Sequence, residues 1–209
     1  MAQRRVKAWE RTRNRGYLSR KSATREVRPR ILIVCEGKKT EPNYFKGFKI
    51  STVSLVIEPV GAVHISVVER AIELMAEDGD YEEVWCVFDR DKQIANPQDA
   101  ALFNSALEKA ALNNVKIAYS NDAFELWYLL HFNYVDTQIL RSDYVTKLRE
   151  IMGTYKKNDP SMYSKIEDKM PVAIRNAKKL YEASNKDDPG NANPSTTVFK
   201  LVERLMELR

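Results

Sequence analysis

The chain has 209 residues, 44% of them apolar and 10% aromatic, which is enough for one substantial core and too few for several independent domains. No run approaches the roughly 18 consecutive apolar residues of a membrane span, and the N-terminus is rich in Arg with no apolar segment, so a cytoplasmic protein is expected rather than a membrane or secreted one. The net charge of +5 is unevenly placed: residues 1–30 hold eleven Arg or Lys against Glu10 and Glu26, which gives +9 there and −4 over the remainder.

Residues 1–28 lack apolar periodicity and read as a basic, flexible arm. Arg4, Arg5, Arg11, Arg13 and Arg15 are its candidates for contact with nucleic-acid phosphates; a solvated tail that touches nothing is the plain alternative. Pro29 marks the boundary. ILIVCE (31–36) is a continuous apolar run, as expected of a strand covered on both faces. Glu41 and Pro42 open a short helix with Tyr44, Phe45 and Phe48 on one side, and STVSLVIEPV reads as a second strand ending at Pro59. Over 64–78, Ile65, Val68, Ile72 and Met75 recur at helical spacing, with Gly79 as the stop. VWCVFDRD (84–91) is a third strand that ends in charge. Asn96 and Pro97 start another helix, closed by Asn113 and Asn114, and VKIAYS (115–120) is the fourth strand, followed by a buried helix over 123–132. Beyond residue 135 the strand signals fade: 143–151, 164–169, 172–183 and 196–208 read as helices, with Asn193 or Ser195 as the N-cap of the last. The expected fold is α/β, a four-stranded parallel sheet of Rossmann-like kind with flanking helices over 29–135 and a helical C-terminal cover over 136–209.

In such a sheet the reactive site lies at the carboxyl ends of the strands, near the switch point. Glu36 falls there on the first strand, and Asp89 and Asp91 on the third. Carboxylates brought together repel, and a hard divalent cation such as Mg²⁺, or Mn²⁺, relieves the repulsion. His64, His131, Cys35 and Cys86 are too few for a zinc site of His and Cys; the two cysteines read as buried free thiols. Glu41, Asp122 and Glu125 are further candidate metal ligands. Each also has a structural reading, Glu41 as a first-turn acid facing a helix dipole and Asp122 with Glu125 as a capping box. Lys38, Lys39, Arg90 and Lys92 are candidate phosphate contacts, although Arg90 and Lys92 suit pairing with the neighbouring acids equally well. His131 reads as a core or surface histidine, and Trp127, Tyr128, Phe132 and Tyr134 as core. Gly37-Lys38-Lys39-Thr40 is not a P-loop, since Leu32 stands at the first glycine position and Lys39 where Ser or Thr is required. Gly37 is expected to form a tight turn that presents Glu36.

E-G-K after the first strand and D-x-D (Asp89, Arg90, Asp91) after the third resemble the Toprim domain of topoisomerases, primases and overcoming-lysogenization-type nucleases. More closely, VCEGKKTEPNYF, VFDRD, SNDAFELWYLLHF and the late NPST, in that order, resemble the RloB family, also called AbiLii-like. The resemblance implies a Toprim fold and a metal-dependent phosphoryl-transfer nuclease acting in bacterial defence against phage by abortive infection, encoded beside an AAA- or ABC-type ATPase partner. It also implies Glu36 as general acid or base and Asp89 and Asp91 as Mg²⁺ ligands. The chain has no topoisomerase or primase modules, which leaves hydrolysis of DNA or RNA. The alternative is a non-catalytic module that binds nucleic acid, tRNA among them, or the ATPase.

Overall fold

An apolar run becomes a central strand only when both its faces are covered. In β1 (Arg30–Cys35), Ile31, Ile33 and Cys35 join one core cluster while Leu32 and Val34 join a second on the opposite face. The computed structural model describes residues 28–90 and 97–209; the arm with Arg4, Arg5, Arg11, Arg13 and Arg15 lies outside the described residues, as do Asp91 and Lys92. After β1 come α1 (Thr40–Phe45), β2 (Ser54–Pro59), α2 (His64–Asp78), β3 (Glu83–Asp89), α3 (Pro97–Leu112), β4 (Lys116–Asn121) and α4 (Glu125–Leu130). The C-terminal part adds α5 (Arg141–Met152), α6 (Met162–Ile166) running into a 3-10 turn (Glu167–Lys169), α7 (Met170–Ala183), β5 (Ser195–Thr196) and α8 (Val198–Glu207). The sheet order is β2-β1-β3-β4-β5, with the first four strands parallel and β5 antiparallel to β4. None of the described helices is long and apolar enough to cross a membrane.

The fifth strand corrects the expected count of four. Its two residues are polar, so no hydrophobic period marks them; hydroxyls and backbone hold them instead. Thr196 Oγ1 donates to the Tyr119 carbonyl at 2.9 Å, and Thr197 Oγ1 accepts the Tyr119 amide at 3.0 Å. The expected N-cap is also corrected. Ser195 Oγ turns back to the Ala192 carbonyl at 2.7 Å, and the amide of Val198 is met by Thr196 Oγ1 at 3.3 Å.

The sheet has one cluster against α2 and α3 and a larger one against α1 and the helices from α4 onward. Leu148, Leu180, Val198 and Leu205 belong to the same cluster as Ile31, Ile33 and Trp127, so the C-terminal helices complete the core. A six-residue helix such as α1 is too short to persist alone. It is held by Tyr44, whose ring meets those of Phe45, Phe48, Phe124, Trp127, Tyr128 and Tyr163 at 5.2–6.5 Å, mostly edge to face. Truncating a ring so buried costs about 3–5 kcal/mol. Packing on that scale is what fixes α1, and with it Glu41, over the end of β1.

Candidate functional site

The chain leaves β1 for β2 on one side of the sheet and reaches β3 on the other, so the ends of β1 and β3 form the switch point. Ladder bonds continue just past both strands: the amide of Glu36 donates to the Val87 carbonyl at 2.8 Å and that of Arg90 to the Ser120 carbonyl at 2.8 Å. Trp85 and Val87 of β3 face the larger cluster, and the period of two carries Asp89 to the same side. There its carboxylate lies 3.4 Å from Arg141 Nη2 at the start of α5, and its backbone amide donates to Glu36 Oε2 at 2.9 Å.

Two further acids close on this point. Glu41 is buried, and its Oε2 has no hydrogen-bond partner. Glu125, 1% exposed, accepts from the Tyr155 hydroxyl at 3.5 Å and faces Lys157 Nζ at 4.0 Å. Burial pushes the Asp89 carboxyl well above its usual range, Glu41 pushes it further, Arg141 opposes, and Glu125 and Glu36 add to the rise. Burial likewise raises Glu41; its own backbone amide opposes this, Glu125 repels it, and Arg141 and Lys157 draw it back. Glu36, Glu41 and Glu125 thus all act on Asp89, and burial makes the ionisation of Asp89 and Glu41 costly.

Gly37 lies in the expected bend after β1, over 36–39, with Glu36 partly exposed, but the need for glycine there differs from expectation. It is not among the glycines of positive φ; a Cβ at that position would collide with the Glu41 carboxylate. Arg90 also departs from the phosphate contact expected of it. One step past Asp89, its side chain turns to the other side of the sheet and is 3% exposed, and its Nε donates to the Gly190 carbonyl at 3.0 Å. It anchors the loop before β5. The N-cap position of α4 is Phe124, without a side-chain bond, rather than Asp122. Asp122 is buried and, after burial itself, helps hold the Tyr144 hydroxyl above its usual range. Lys38 and Lys39 are exposed beside Glu41 in one cleft. His131 is buried with Nδ1 2.9 Å from the Trp127 carbonyl, and Cys35 and Cys86 are buried and free. Arg141, Lys157 and Tyr155 carry no motif and were not among the expected site residues.

The donor chemistry fits a hard cation: the acids offer oxygen alone, and one buried carboxylate oxygen lacks a partner. Among the described residues, no three His, Cys, Asp or Glu side chains are gathered as a preformed metal site. A family model described as RloB-like protein matches residues 31–205. No curated protein and no solved structure matches. With its E-G-K glutamate bonded to the first aspartate position of D-x-D, and a family match running from β1 into α8, the chain belongs to the RloB family.

Proposed function

We propose that the protein is a metal-dependent, Toprim-like nuclease that hydrolyses phosphodiester bonds in DNA or RNA. The observation that carries this reading is the convergence of Glu36, Glu41, Asp89 and Glu125 at the carboxyl edge of a parallel sheet, where burial and mutual repulsion raise Asp89 and Glu41. Carboxyls raised by burial and by like charges in a cleft cluster at functional sites. Asp89, Glu36 and Glu41, with Asp91, would hold Mg²⁺ or Mn²⁺, which when bound polarises a phosphate and makes a water more acidic. Glu36 is the one member of the four that is not buried, and its Oε2 faces the end of β3, where it accepts the Asp89 amide. It is therefore suited to take a proton from an incoming water. The resemblance to the phage-defence family supports a role in abortive infection beside an ATPase partner.

The test is cleavage of plasmid DNA, single-stranded DNA and tRNA with Mg²⁺ or Mn²⁺, comparing wild type with Asp89→Asn and Glu36→Gln. Cleavage by wild type alone is expected. Wild type that cuts none of the three, with or without the ATPase, removes the reading. A second reading, a non-catalytic nucleic-acid or ATPase-binding module, is favoured by one observation: Asp89 is ion-paired with Arg141. Nucleic-acid binding that survives Asp89→Asn without any cleavage by wild type would support it.

A further inference from the structure

A second layer, of opposite charge, lies against the carboxylates. Lys38 and Lys39 from the loop after β1, Arg141 at the start of α5 and Lys157 from the loop before α6 line one cleft of about 330 Å³ with Glu41. The arrangement is built rather than incidental. Thr40 Oγ1 donates to Asn158 Oδ1 at 2.7 Å, and Asn43 Nδ2 donates to the Asn158 carbonyl at 3.0 Å, which clamps the Lys157 loop onto α1. Arg141 sits 3.4 Å from Asp89, and Lys157 4.0 Å from Glu125. The Arg141 and Lys157 side chains are 28% and 51% exposed, so each meets a buried acid on one side and the open cleft on the other.

We infer that Arg141 and Lys157, with Lys38 and Lys39, form the phosphate-holding half of the site, so that the C-terminal cover supplies substrate contacts as well as packing. This rests on the reading of the site as one that handles phosphodiesters. The guanidinium of Arg141 presents a planar fork that grips two phosphate oxygens at once, and Lys157 supplies a point charge beside it.

Inorganic pyrophosphate, titrated calorimetrically into the full-length protein in EDTA, is the probe, because it needs no cleavage. One pyrophosphate site is expected to weaken about tenfold in Arg141→Gln and in Lys157→Gln, the loss of one charged hydrogen bond. Arg141→Lys should fall between, and Lys178→Gln on α7 should bind as wild type does. Thermal unfolding of the same variants checks that they are folded. The inference is overturned if wild type binds no pyrophosphate, or if both glutamine variants bind within twofold of wild type. Its failure is distinct from failure of the nuclease reading: wild type that cleaves while the variants bind normally sinks this inference alone. Weakened pyrophosphate binding without any cleavage by wild type keeps the phosphate cleft and sinks the nuclease.

Discussion

The backbone amide of Asp89 donates to Glu36 Oε2 at 2.9 Å, a bond across the switch point that ties the acid after β1 to the last residue of β3. The bond separates two roles of Glu36, acceptor and acid. Glu36→Gln keeps an acceptor oxygen and is expected to leave stability within about 0.5 kcal/mol, while slowing cleavage at least about 100-fold if the carboxylate moves a proton. Glu36→Ala strands the Asp89 amide and should cost a further 1–3 kcal/mol, roughly. Thermal unfolding and cleavage rates on the same preparations read both roles. A glutamine variant as active as wild type takes Glu36 out of proton transfer.

Gly37 and Glu41 form a coupled pair, because the space a Cβ would need at Gly37 holds the Glu41 carboxylate. Gly37→Ala is therefore expected to destabilise by about 1–3 kcal/mol through overpacking. In a Glu41→Ala background the obstacle is gone, and the same substitution should be close to neutral. The difference is the interaction energy of a double-mutant cycle, measured by urea unfolding. Equal costs in the two backgrounds would place the need for glycine in the backbone.

The raised Asp89 and Glu41 carboxyls give stability a definite slope with pH. The folded chain holds these protons more tightly than the unfolded one, so their contribution is full below the ordinary carboxylate range and is lost as pH rises through the raised native values. Asp89→Asn should then stabilise the metal-free protein at pH 7–8 and flatten the decline. Mg²⁺ acts in the opposite sense, raising the melting temperature of wild type near pH 8 by binding the ionised acids and doing little for Asp89→Asn. Melting curves from pH 5 to 8, with Mg²⁺ and with EDTA, test both statements. A variant less stable than wild type at pH 8 in EDTA contradicts the repulsion on which they rest.

Much of this was legible in the chain, for physical reasons that differ by element. The spacing of Ile65, Val68, Ile72 and Met75 with Gly79 as a stop predicts a helix over 64–78, and α2 spans His64–Asp78. The apolar runs of β1, β3 and β4 leave few choices for chains buried on both faces. β5 was hidden because its pairing rests on hydroxyls and backbone, which leave no hydrophobic period. Glu36, Glu41, Asp89 and Glu125 were recognisable as acids at strand ends or helix starts. Their cationic partners were not: Arg141 follows an unremarkable Leu140, and Lys157 sits in the polar run KKND, and only tertiary folding carries them to the cleft. Arg90 was misassigned by its neighbours in sequence. Alternation along β3 sends it to the face opposite Asp89, where Gly190 receives it.

His131 offers an acid-side test independent of the site. It follows α4, is 1% exposed, and its Nδ1 donates to the Trp127 carbonyl at 2.9 Å while its buried Nε2 has no hydrogen-bond partner. Charging the ring would place a second N–H where nothing accepts it, and burial lowers the native value to about 4. Between that value and the unperturbed one, near 6.5, the unfolded chain binds the proton and the folded chain does not. The stability from this group is thus full above about pH 6.5 and is lost as pH falls toward 4, by at most about 3 kcal/mol. His131→Gln keeps a donor for the Trp127 carbonyl and cannot charge, so the loss between pH 6.5 and 4.5 should shrink by about 2 kcal/mol. Urea midpoints at pH 4.5, 5.5, 6.5 and 7.5 measure it. Parallel curves for the two proteins would mean that the imidazole accepts its proton in place, and that the cavity around Nε2 is open to water.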